Sequence, residues 1–149
     1  KKNKRKKQSI VKPDKEQVKL FNQFATSVFP DYQPHQLILF GDQLYDLPLE
    51  EDKIEGLNVL RPGLHLGTFK KNRFEPALAW ALASLPREAN RVIELSQEQW
   101  HQYVHGDVIN VDADLPNGWY LLVCEEHTAG FGKLVGKTIK NFYPKGLRF

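Results

Sequence analysis

Residues 91–149 carry one helix signal and about five short strand signals in 59 residues, and that density constrains the fold more than any other feature. Ser96 followed by Gln99 forms a capping box, and the helix it opens runs to His105, with Gly106 as its stop. The strand signals are Arg91–Leu95, Val108–Val111, Trp119–Cys124, Phe131–Val135 and Lys137–Phe142, with an Asn117-Gly118 turn before the third. So many short strands around one helix suggest a small closed β-barrel, which leaves no sheet edge unpaired.

The first half is more mixed. Asp14 is placed to cap a helix in which Val18, Phe21, Phe24, Ala25 and Val28 recur at helical spacing, and Pro30 stops it. Ordered structure is expected from about Asp14 onward. Strand-like Leu37–Phe40 and Leu44–Leu47 follow, split by a Gly41-Asp42 turn, and Leu64–Phe69 is a third. Pro76 is expected to open a short apolar helix to about Leu85. The polar, proline-containing run 85–90 is the best candidate for a domain boundary. The organisation expected is therefore α+β. Residues 1–13 are a basic linker or disordered tail, 14–89 a helix-plus-strand domain, and 90–149 the barrel.

Charge is distributed unevenly. The chain has 21 Lys and Arg against 18 Asp and Glu, a formal +3, but Lys1–Lys7 alone hold six of the bases. From Gln8 onward the count is 15 bases to 18 acids, or −3, so the net charge is no argument for nucleic acid. Residues 42–55 contain six acids (Asp42, Asp46, Glu50, Glu51, Asp52, Glu55) and only Lys53 against them, a poor place for a phosphate. The sign then reverses: Arg61, His65, Lys70, Lys71 and Arg73 lie in an acid-free stretch.

Several function classes drop out. The longest apolar run, Ala77–Ala83, is far short of the roughly 20 residues that span a bilayer, and the basic N-terminus is not followed by an apolar signal segment. One cysteine, Cys124, excludes an intramolecular disulfide and fits a reducing, cytoplasmic setting. With no methionine even at position 1, the chain reads as a piece of a longer protein. The run Ala129–Thr138 imitates a phosphate-binding loop, yet Phe131 stands where its first glycine is required and no helix has room to follow. His101 and His105 share a helix face but lack further metal ligands, and they suit the negative end of their helix. Cys124 reads as a small buried hydrophobe with no evident catalytic partners. No enzyme site emerges, and neither a metal nor a cofactor is expected in this chain.

The strongest chemical signal is Phe131–Phe149. It holds Lys133, Lys137, Lys140, Lys145 and Arg148 without one acid, interleaved with Phe131, Phe142, Tyr143 and Phe149. Cations for phosphates beside aromatic faces for bases describe an RNA-binding surface. Strand alternation, with lysines outward and aromatics in the core, would give the same pattern.

Two runs resemble a known family. Arg61-Pro62-Gly63-Leu64-His65-Leu66-Gly67 with Arg73-Phe74-Glu75-Pro76 is similar to the region after the catalytic domain of RsmF-type RNA cytosine-5 methyltransferases, the Sun family. Gly130-Phe131-Gly132-Lys133 and Lys140-Asn141-Phe142-Tyr143-Pro144-Lys145-Gly146-Leu147-Arg148 resemble that family's terminal PUA-like RNA-binding domain. The resemblance covers most of the chain from about Asp14. It implies the RNA-recognition region of a bacterial, S-adenosylmethionine-dependent enzyme acting on ribosomal RNA cytosine, with small-subunit RNA as the expected target. The family's catalytic cysteines and methyl-donor site belong to a preceding domain. Cys124 follows Val123 rather than proline, so no catalytic role carries over to it, and this region is not expected to methylate alone.

On this reading Lys133, Lys140, Lys145 and Arg148 contact phosphates and Asn141 offers a polar or base-edge contact. Gly130 and Gly132 allow the hairpin backbone to approach RNA, though turn geometry alone would account for both. Arg61, His65 and Arg73 form a second, weaker basic face. Phe142 and Tyr143 fit stacking and core equally. The alternative is a structural module whose basic strip docks on an acidic face of the catalytic domain without touching RNA.

Overall fold

The computed structural model describes residues 11–47, 63–112 and 114–147. The tail Lys1–Lys7, most of the acidic stretch beyond Leu47, Arg61 and Arg148 lie outside the described residues. The chain forms two compact units, one built from residues up to Gln23 with Tyr32–Trp80, the other from Phe24–Asp31 with Ala81–Phe149.

Helix α1 spans Lys15–Val28. It starts where the sequence indicates: the Asp14 carboxylate accepts from Gln17 N at 2.8 Å, and Gln17 Oε1 accepts from Asp14 N at 2.9 Å. This reciprocal cap satisfies two backbone donors that a helix start leaves orphaned.

In the first unit, β1 (Gln36–Phe40), β2 (Gln43–Leu47), β3 (Leu64–Lys70) and β4 (Arg73–Pro76) form an antiparallel meander in that order. Pairing begins before Asp14, since Val11 and Leu39 exchange backbone hydrogen bonds. Phe21 is buried edge-on to Phe74 and stacked on Trp80, both at 5.6 Å between ring centres. Pro76 closes β4 opposite Gly67 rather than opening a helix, and α2 is limited to Leu78–Leu82. Proline is tolerated at that terminal strand position because it has no backbone N–H to leave unpaired. Asp46 is the buried charged side chain among the described residues. Its carboxylate accepts from Tyr32 Oη at 2.5 Å and from His35 N and Gln36 N at 2.8 and 2.9 Å. Those three donors offset the cost of burying it, and burial together with Asp46 pushes the Tyr32 pKa up.

In the second unit, β5 (Val92–Glu94), β6 (Ile109–Asn110), β7 (Gly118–Cys124), β8 (His127–Val135) and β9 (Thr138–Asn141) make one sheet in the order β5-β7-β8-β9-β6. Only β5 and β7 run parallel. Helix α3, Gln97–His105, has the expected Ser96/Gln99 box and a left-handed Gly106 cap. Tyr103 and Val104 of α3 pack with Ile93, Leu95, Ile109, Tyr120, Leu122, Leu134 and Ile139. The fold class is α+β with a PUA-like second unit. Among the described residues β5 and β6 do not pair with each other, so the strands form a part-barrel with two edges rather than the closed cylinder expected.

Candidate nucleic-acid interface

Period-two alternation sorts β8 into two faces. Gly132 and Leu134 turn toward the α3 side, while Phe131, Lys133 and Val135 turn away from it. Register extends that outer face sideways: Lys133 stands opposite Trp119 on β7 and opposite Lys140 on β9. Part of this face is covered within the same unit, where Phe131 is buried beneath Phe24 and Phe29 at 5.3 and 5.9 Å between ring centres. The remainder is partly exposed. Trp119 and Phe142 are half-buried, with ring centres 4.7 Å apart and planes tilted by 54°. Lys133 Nζ lies 5.8 Å from the Trp119 ring centre, and Lys140 is exposed beside it. Lys137 in the β8–β9 turn and Lys145 in the short turn after it are also exposed. Neither Gly118–Cys124 nor residues 127–149 contain an acid, and among the described residues these four lysines form no ion pair. The result is an aromatic pair flanked by uncompensated cations.

The other sequence candidates have different duties. Asn141 donates through Nδ2 to Tyr103 O and Asp107 O, both at 2.7 Å, and accepts from Tyr143 N at 2.8 Å. Both amide hydrogens are spent on carbonyls at the end of α3, which leaves none for a base edge. Gly130 and Gly132 are buried. A Cβ on Gly130 would collide with the Tyr103 hydroxyl, which donates to Phe131 O at 2.9 Å, and one on Gly132 would meet Ile139 and Leu122. Core packing therefore demands both glycines by itself. Tyr143 packs edge-on to Tyr103 at 5.3 Å and belongs to the core, whereas Phe142 belongs to the outer face.

His65 and Arg73 lie in the first unit. His65 is half-buried against Tyr45, with Nε2 3.1 Å from Gly67 O, and burial lowers its pKa, favouring the neutral ring. Arg73 is exposed, and its guanidinium holds Glu75 Oε2 through Nε and Nη2, both at 2.9 Å. That pairing screens the charge Arg73 would offer a phosphate. Cys124 is half-buried rather than buried, and burial with the neighbouring Glu125 and Glu94 carboxylates raises its pKa, the opposite of an activated nucleophile. The glycine-rich run 129–138 is β8, a Gly136 turn and the start of β9.

Trp119 was the residue that sequence reasoning passed over. Its signal was present, since it opens an alternating run in which Tyr120 and Leu122 face the core. Only the β7–β8–β9 register aligns it with Lys133 and Lys140.

Comparison with known proteins places two matches along the chain. Residues 90–149 match the family described as "Methyltransferase RsmF PUA domain", and residues 23–83 match "RsmF rRNA methyltransferase first C-terminal domain". The "Ribosomal RNA small subunit methyltransferase F" of Aeromonas salmonicida (strain A449) is 29% identical over 116 residues, which is 76% of this chain and 24% of the relative. The chain thus spans about a quarter of that protein's length.

Proposed function

We propose, from the premise that this chain belongs to the RsmF-type methyltransferases as their C-terminal region, that it binds ribosomal RNA and positions it for an S-adenosylmethionine-dependent cytosine-C5 methyltransferase. The observation that carries this is the acid-free outer face on which Lys133 and Lys140 flank Trp119 and Phe142. Residues 90–149 are the RNA-binding PUA-like domain, and 14–89 the domain that links it to catalysis. Chemistry on a base requires the target nucleotide to be held, and commonly flipped, in the catalytic pocket. A domain away from that pocket contributes by holding the rest of the RNA, so that binding energy is spent on orientation. Lys133, Lys140 and Lys145 are the proposed phosphate contacts, with Lys137 beside them; Arg61 and Arg148 extend the basic segments by sequence. Small-subunit RNA, named for the relative, is the proposed substrate, and the cytoplasm the place of action.

The test is binding of this chain to structured small-subunit RNA at moderate salt. A Lys133→Ala/Lys140→Ala/Lys145→Ala chain should lose at least tenfold in affinity while keeping its thermal midpoint. Equal binding by the triple variant would remove the assignment. Methyl transfer by the chain alone would overturn its non-catalytic role.

A further inference from the structure

We propose that the outer face of β7–β8–β9 selects unpaired RNA, taking one unstacked base against the Trp119–Phe142 pair with its flanking phosphates on Lys133 and Lys140. This rests on the RNA-binding reading above and adds the class of RNA that the site accepts.

The composition of the patch decides between duplex and single strand. An A-form duplex keeps its base faces inside the stack and presents phosphates and 2′-hydroxyls, so a duplex site needs cations and hydrogen-bond donors but no aromatic platform. Here Lys133 and, next to it by register, Lys140 accompany two half-exposed rings. A base out of its stack gains from such rings whatever its identity, because every base has a π-face. The platform is also held in place: Phe24 packs edge-on to Trp119 at 5.9 Å while Phe142 sits against it at 4.7 Å. A fixed ring loses little conformational entropy on binding. Lys133 lies 5.8 Å from the Trp119 ring centre, close to the outer limit of a cation–π contact, so moving its ammonium to a phosphate forfeits little. Asn141, the nearby amide that could have read a base edge, is committed to α3. The selectivity expected is therefore for strandedness rather than for sequence.

The experiment compares this chain's affinity for a hairpin with an unpaired loop and for a blunt, fully paired duplex with the same number of phosphates. The hairpin should bind more tightly by roughly 5- to 150-fold, the range for stacking one base. Phe142→Leu should reduce that preference, read as the ratio of hairpin to duplex affinity, which a general loss of stability does not move, and Trp119→Phe should retain part of it. Equal affinity of the unmodified chain for the two RNAs overturns the inference but leaves RNA binding standing. A Phe142→Leu chain that keeps the full preference also overturns it and leaves the patch to a protein partner. Binding to neither RNA removes the underlying reading as well.

Discussion

Two neighbours on β9 show how residue chemistry divides between exposed surface and scaffold. Lys140 points outward and forms no ion pair among the described residues, so Lys140→Ala should change stability by less than about 0.5 kcal/mol. Asn141 makes three hydrogen bonds within the fold, and Asn141→Ala should cost about 1–3 kcal/mol by stranding the carbonyls at the end of α3. Thermal unfolding should separate the two; an Asn141→Ala midpoint equal to the parent's would return that side chain to the list of RNA contacts. Gly130→Ala should be similarly costly, about 1–3 kcal/mol, because Tyr103 fills the space and its hydroxyl is anchored. His65 brings a pH dependence. Its pKa is lowered in the fold from an ordinary 6.5, so below that value the unfolded chain takes up more protons than the folded one. Stability should therefore fall as pH drops below about 6.5, and His65→Gln should flatten that part of the profile. From sequence the cationic residues of the C-terminal segment were plain, but their availability was not. Asn141 and Lys140 look equally polar, and only the α3 carbonyls distinguish them.

At the level of elements, what was legible was what neighbouring residues decide. Both helix caps are local exchanges across three residues, and both form as the sequence indicates. Ser96→Ala should accordingly cost about 1 kcal/mol. The β7–β8 connection was not legible, because it turns through Glu125 and Glu126, both at positive φ, without the Asn-Gly or Asp-Gly pair that marks such hairpins. Two exposed glutamates there look like ordinary polar loop, so β8 was expected to begin at Phe131 rather than at His127. The strain should be recoverable. Glu125 has a use, accepting from Gln97 Nε2 at 2.8 Å, but no such bond holds Glu126 among the described residues. Glu126→Gly should raise stability by several tenths of a kcal/mol to about 1 kcal/mol, read as a shift of a few degrees in the midpoint. An unchanged or lower midpoint would mean the turn is held by more than its own backbone. Pro76 failed as a helix signal for a comparable reason: proline suits the first turn of a helix and the end of a strand alike, and the pairing of Gly67 decided it.

For the whole molecule, periodicity identified the helix at 15–28 but could not say where its faces go. Phe21 packs with Phe74 and Trp80 in one unit, whereas Phe24, one turn later, packs with Phe131 in the other. Long-range partners of this kind are set by topology, which a single sequence does not print. The same limit applies to charge. The body from Gln8 onward is −3, yet β7–β9 present a face with lysines and no acid. The proposed RNA affinity has two candidate sources, the six bases of Lys1–Lys7 and the folded face, and salt separates them. Each single-strand phosphate neutralised contributes about −0.7 to the slope of log affinity against log salt. With the tail engaged the full chain should approach −7, and a chain beginning at Gln8 should fall to about −3, the value for the four lysines alone. The preference for unpaired RNA should survive that truncation, since it resides in Trp119 and Phe142 rather than in the tail. A truncated chain that no longer binds RNA would place the affinity in the tail, and would favour docking of the folded face on the catalytic domain.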